Sequence, residues 1–118
     1  MSKSKPQLDD LFTLIALEYQ KAKKKYPRFC KRFLTKGEDV DNIRWMLGLC
    51  RKISDNEKPR YSVQATLDEE VYEVYDAWCR NDLDGCLQEL AQCGAVILRA
   101  MEFINKQKET ELCLKLKG

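Results

Sequence analysis

Two acid-bearing pairs at helical spacing, on stretches that read as consecutive helices, constrain this chain most. Between Val63 and Lys108 the sequence runs VQATLDEEVYEVYDAW, breaks at RNDLDG, and resumes as CLQELAQCGAVILRAMEFINKQK. Glu70 and Glu73 stand three apart on the first stretch, flanked by Glu69 and Asp76; Glu89 and Gln92 stand three apart on the second. Residues three or four apart share one helix face. If the two helices pack antiparallel, these groups converge on one point. No basic residue lies between Thr66 and Trp78 to offset the first set. Converging carboxylates repel and raise one another's pKa unless a cation joins them. A hard divalent ion such as Mg²⁺, which prefers oxygen ligands, resolves the conflict.

The remaining segments also carry helical rather than strand periodicity. Leu8, Leu11, Phe12, Ile15, Leu17 and Tyr19 give a first helix a broad apolar side. Asp9 and Asp10 at its start and Lys21, Lys23, Lys24 and Lys25 at its end suit the helix dipole. Tyr26-Pro27 ends it, because the residue before a proline avoids helical geometry. Pro27 to Lys36 reads as a loop with a helical turn around Arg28 to Leu34, and Gly37 breaks it. A second helix, capped by Asp39 or Asp41, carries Ile43, Met46, Leu47, Leu49, Cys50 and Ile53 as its apolar stripe. Lys58 to Tyr61 forms a linker. Ser62 or Thr66 caps the third helix, which buries Val63, Leu67, Val71, Val74 and Trp78. The fourth, capped early by Asp82, buries Leu87, Leu90, Ala91, Gly94, Ile97, Leu98, Met101 and Ile104.

There is no period-two strand pattern, no Asn-Gly hairpin and no internal repeat. The expected fold class is therefore all-α, four-helix bundle-like, in a single domain spanning 1–118, with 1–7 as a leader and 109–118 as a tail. At 118 residues the chain favours one core. The broad apolar faces on the first and fourth helices call for a partner subunit.

Composition narrows the chemistry. No stretch approaches the ~20 apolar residues that span a bilayer. The polar start MSKSKPQLDD carries no signal-peptide segment, so a cytoplasmic location is expected. The six cysteines include no Cys-x-x-Cys, and there is no histidine to complete a zinc site. Cys86 and Cys93, about 10 Å apart along a helix, cannot chelate one zinc together. The cysteines then read as small buried hydrophobes of a reducing compartment. The lack of histidine also removes Ser-His and Cys-His catalysis, leaving acid–base work to carboxylates, lysines, tyrosines or metal-activated water.

EEVYE at Glu69 to Glu73, followed by QELAQCGAVILRAMEFI, resembles the MazG-like nucleoside triphosphate pyrophosphohydrolases, in particular the small phage-type members. EYQKAKKKYPRF (Glu18 to Phe29) is similar to their leading helix. The resemblance covers Thr66 to Ile104 best, Leu8 to Phe29 more loosely, and Lys36 to Arg60 not at all. Members of this all-α family carry Glu-x-x-Glu on one helix and Glu-x-x-Asp on the next. Glu70 and Glu73 match the first motif. Glu89 and Gln92 fall on the second, with glutamine where the aspartate belongs.

The resemblance implies Mg²⁺ held by Glu70, Glu73, Glu89 and Gln92, with a nucleoside triphosphate as substrate. Water would attack the α-phosphorus and release a nucleoside monophosphate and pyrophosphate. Glu69 or Asp76 would orient that water, and Lys21, Lys25 and Lys106 would meet phosphate charge. Trp45 or Tyr72 could stack on the base, though each reads more simply as core or rim. A homodimer or homotetramer is implied. The amide at Gln92 can ligate Mg²⁺ but brings no negative charge, which weakens the attraction. The family's basic, asparagine-bearing segment after the fourth helix has no clear counterpart.

Two other readings compete. One is a non-catalytic MazG-like helical interaction module whose acids form a solvated or degenerate site. The other is a nucleic-acid-associated protein using the Lys/Arg-rich span from Lys21 to Arg32, interleaved with Tyr26 and Phe29. A net charge of +2 gives that last reading little support.

Overall fold

The structure, a computed structural model, describes residues 8–58 and 62–117. Four α-helices and no strand occur among them: α1 (Leu8–Lys25), α2 (Val40–Glu57), α3 (Val63–Cys79) and α4 (Leu83–Lys117). The all-α expectation is met. None of the helices among the described residues is long and apolar enough to cross a membrane. The leader at 1–7 and the linker residues 59–61 lie outside the described residues.

The helix ends follow local chemistry. α1 stops at Lys25, one residue before Tyr26-Pro27. Asp39 caps α2, its carboxylate accepting from the Asn42 N–H at 2.9 Å. Ser62 caps α3 in the same way through the Ala65 N–H at 2.9 Å, and Glu57 in turn accepts from the Ser62 hydroxyl at 3.0 Å. Each cap satisfies a backbone donor that the first helical turn leaves without a partner. The helical turn expected around Arg28 to Leu34 does not form, and that stretch is irregular. Phe33 instead stacks on Trp78 at 4.6 Å and meets Tyr75 edge-on, so its loop is held by ring contacts with α3.

The described residues group into two compact units, Met1–Lys31 with Leu98–Gly118, and Arg32–Ile97. The second contains α2, α3 and the first part of α4. α2 turns Ile43, Leu47, Cys50 and Ser54 inward at four-three-four spacing. α3 contributes Ala65, Val74 and Ala77, and α4 contributes Cys86 and Cys93. Val74, Ala77, Cys86 and Cys93 form one buried cluster, with Val71 and Tyr75 packed on it.

This register corrects the expectation for α4. Leu87 is 67% exposed, and Leu90, Ala91, Ile97 and Ile104 are also exposed. Gly94, Leu98 and Met101 are half-buried. The inward line is the cysteine pair seven residues apart. Alanine and cysteine at a helix contact allow a shorter interaxial distance than leucine would. On α3, Val63 and Trp78 are exposed and Leu67 and Val71 half-buried, and on α2 Leu49, Ile53 and Trp45 are exposed.

In the other unit, Leu11 is the one buried residue of α1. α4 continues without a break through the residues set apart as a tail, as far as Lys117. ETELCLKLK holds neither glycine nor proline and is rich in strong helix formers. The Thr110 hydroxyl donates back to the Lys106 carbonyl at 3.0 Å, which keeps it inside the helix.

Candidate metal centre

The site begins with a turn. α3 ends with Arg80 at its cap and Asn81 in the left-handed region at φ 56°. The Asn81 N–H donates to the Trp78 carbonyl and the Asp82 N–H to the Ala77 carbonyl, both at 3.0 Å. Those two bonds make a Schellman motif, with asparagine tolerating the left-handed position. Asp82 then caps α4: its carboxylate accepts from the Gly85 N–H at 2.9 Å, and its carbonyl from the Cys86 N–H at 2.8 Å. A side chain at Gly85 would meet the Asp82 carboxylate, the movable end of a side chain, which would shift to admit it. A connection this short forces α3 and α4 antiparallel.

Antiparallel pairing about Asn81 decides which residues meet. Val74 lies against Cys86, whose thiol donates to the Val74 carbonyl at 3.5 Å. One turn further from the bend the glutamates meet. Glu70, Glu73 and Glu89 each place a carboxylate oxygen within 4.8 Å of the others, and all three are half-buried. Gln92 completes the group. With its amide assigned so that nitrogen faces the carboxylates, it donates to Glu70 Oε2 at 3.1 Å and to Glu89 Oε2 at 3.2 Å. The four residues expected as ligands are brought together.

The electrostatics are those of crowded anions. Burial pushes the Glu70 carboxyl above its ordinary value, and the charges of Glu73 and Glu69 push it further. Glu73 is likewise raised, first by burial, then by its hydrogen bond to Glu89, then by the charges of Glu89 and Glu69. Arg51 opposes that rise, its Nη2 standing 3.6 Å from Glu73 Oε1. The Cys93 thiol is raised by burial and by Glu70, Glu89 and Glu73, and so stays a protonated neighbour of the cluster.

The donor set fits a hard divalent ion. Opposed ligands of an octahedral Mg²⁺ stand about 4 Å apart, so oxygens within 4.8 Å need only small side-chain adjustments. Two of the three carboxylates have raised pKa values, a cost that positive charge would remove.

The other expected site residues fall differently. Glu69 is half-buried and lines a cleft of about 250 Å³ with Ser54, Asp55, Lys58, Thr66 and Glu70. That is below the ~300–1,000 Å³ of most small-molecule sites, so the cleft holds part of a nucleotide at most. Asp76 is engaged on both oxygens, by Arg80 at 3.0 Å and Arg44 at 3.6 Å. Lys21, Lys25 and Lys106 are exposed and belong to the other unit. Lys21 pairs with Glu18 at 3.2 Å, and Lys25 lies over the Tyr26 ring. Trp45 is exposed, and Tyr72 packs edge-on against Tyr75.

Arg44 and Arg51 escaped the sequence reading, although a signal existed. They stand seven apart on α2, one stripe, while Glu73 and Asp76 stand three apart on α3. Matching stripes of opposite charge on neighbouring helices are a pairing pattern. Comparison with protein-family models, curated proteins and solved structures finds no match to this chain.

Proposed function

We propose that this chain is a Mg²⁺-dependent, MazG-like nucleoside triphosphate pyrophosphohydrolase that releases a nucleoside monophosphate and pyrophosphate. The observation that carries this reading is the meeting of Glu70, Glu73 and Glu89 within 4.8 Å from two antiparallel helices. These three residues hold the ion, and Gln92 offers its amide oxygen after rotating about its terminal bond. When bound, Mg²⁺ supplies charge that polarises the α-phosphoryl group and acidifies water.

The chain's own residues do the rest. Glu69 accepts a proton from the attacking water, whose oxygen bonds to the α-phosphorus as the bond to pyrophosphate breaks. Glu69 suits this role better than Asp76, both of whose oxygens are engaged by arginines. Arg51, which lies against Glu73, meets triphosphate charge. A homodimer or homotetramer is part of the same proposal.

A panel of nucleoside triphosphates assayed for pyrophosphate with and without Mg²⁺ tests the reading. Turnover should need the ion, and Glu73→Gln or Glu70→Gln should lower it by about 100-fold or more with helical content unchanged. Absence of turnover across the panel would sink the enzyme.

One observation favours a second reading, a non-catalytic helical module. Gln92 and Arg51 between them already supply a donor or a cation to all three carboxylates. On this reading the protein binds no Mg²⁺ at millimolar concentration, which titration calorimetry decides.

A further inference from the structure

The end of α1 and the stretch beyond it carry a feature that the carboxylate site leaves unused. From Lys21 to Lys31 the sequence reads KAKKKYPRFCK, six cations and no acid. The whole chain carries only +2, so this charge is concentrated rather than shared. Lysines at a helix C-terminus suit its dipole, which accounts for Lys23, Lys24 and Lys25 in the last turn. It does not account for Arg28 and Lys31. Both follow Pro27 in irregular backbone, with no helix end to serve.

The structure adds exposure to charge. Every residue from Lys21 to Lys31 is exposed. Of the six cations, only Lys21 pairs with a carboxylate among the described residues, Glu18 at 3.2 Å. Arg44, Arg51 and Arg80, by contrast, each lie against one. Two rings stand among the cations: Tyr26 is 65% exposed and Phe29 91%. Phe33, further along the same irregular stretch, packs its ring on Trp78. The stretch thus settles one phenylalanine on the protein and leaves the other in water between Arg28 and Lys31.

Rings interleaved with cations match a strand of bases interleaved with phosphates. An exposed ring stacks on a base, and the cations beside it meet the backbone. Lys25 lies over the Tyr26 ring at 5.4 Å, which sets a cation beside a stacking ring. Bases paired in a duplex hide their faces, so the strand must be single. A membrane-binding helix separates its cations from its apolar side chains; Tyr26 to Lys31 alternates them along one irregular strand. No acid or amide side chain lies here to read a ribose 2′-hydroxyl, so DNA and RNA strands fit alike.

We infer that Lys21 to Lys31 is a binding surface for single-stranded nucleic acid, on which Tyr26 and Phe29 stack on bases and the flanking cations meet phosphates. This activity is separate from the carboxylate site and stands whether or not that site holds Mg²⁺.

Fluorescence polarisation of the full chain with oligothymidylate of about 20 nucleotides tests it, against oligouridylate, a duplex and polyglutamate. Both single strands should bind in the micromolar range at low salt, more tightly than the duplex or polyglutamate. The logarithm of the association constant should fall with the logarithm of salt at a slope of about −2 to −4, as for three to six phosphate contacts. Phe29→Ala should weaken binding about five-fold or more. Circular dichroism should not change, since that ring stands in solvent. Lys24→Gln with Arg28→Gln should flatten the salt slope by about one. No binding at low salt, equal binding of the duplex or of polyglutamate, or binding indifferent to Tyr26→Ala with Phe29→Ala would each overturn the inference. Capture by phosphatidylserine vesicles with no oligonucleotide bound would also overturn it and assign the surface to a membrane.

Discussion

The Gln92 amide donates to Glu70 Oε2 at 3.1 Å, and the two residues stand eleven positions either side of Asn81. Glu73 and Glu89 stand eight positions either side of the same residue. The site is thus the symmetric product of a bend: Asn81 takes the left-handed conformation, and equal distances along α3 and α4 meet.

The pH dependence of stability follows from the raised carboxyls. Glu70 and Glu73 have folded pKa values above the ordinary 4.5. The unfolded chain therefore releases these protons at lower pH than the folded chain does. Their contribution to stability is full below about 4.5 and is lost as pH rises through the raised values. The melting temperature of Glu73→Gln should accordingly fall less across this window than that of the wild type. Arg51→Met should steepen the wild-type fall, since Arg51 holds the Glu73 value down. If the proposed site binds Mg²⁺, the ion should raise the melting temperature at neutral pH in the wild type and not in Glu73→Gln.

Gln92 sets the balance between donor and ligand. Gln92→Leu removes two hydrogen bonds to carboxylates in a partly solvated position, a loss of order 1 kcal/mol in the absence of a divalent ion. Gln92→Asp removes the same donors and adds a charge. Without a divalent ion it should be the less stable of the two variants in thermal melts. Titration with Mn²⁺ followed by paramagnetic resonance should find Gln92→Asp binding more tightly than the wild type. Equal or weaker binding would separate this position from the proposed ligand set.

The turn can be tested apart from the site. Asn81→Ala puts a less tolerant residue at φ 56° and should cost about 1 kcal/mol, whereas Asn81→Gly should be neutral or stabilising. Asp82→Ala removes the α4 cap at about 0.5–2 kcal/mol. Gly85→Ala should be close to neutral, because the Asp82 carboxylate that its methyl group meets can shift and alanine favours the helix. Denaturant unfolding midpoints measure all four.

The thiols should divide by exposure and by charge. Cys30 and Cys113 are exposed and should react rapidly with a disulfide reagent. Cys50, Cys86 and Cys93 are buried and raised, first by burial and then by neighbouring carboxylates, so they should react only as the protein opens. Cys79, half-buried and raised by burial and Asp76, should fall between. Rapid labelling of Cys93 in the folded protein would contradict its place in the core.

Sequence alone determined the four helices, because apolar periodicity, Pro27, Gly37 and the capping candidates Asp39 or Asp41, Ser62 or Thr66, and Asp82 are local signals that the backbone obeys within a few residues; the structure chose Asp39 and Ser62. It also made the meeting of Glu70 and Glu73 with Glu89 and Gln92 legible on one condition, that the two helices pack antiparallel, which the short turn at Asn81 meets. Tertiary structure alone decided which face of each helix turned inward. Hydrophobicity pointed to Leu87 and Leu90, but Cys86 and Cys93 took the core because close approach of two helices rewards small side chains over large ones. Tertiary structure also decided that Arg51 lies against Glu73 and that Asp76 is held by Arg44 and Arg80. Those pairings depend on how α2 is rotated against α3, and helix rotation is set by packing across the chain.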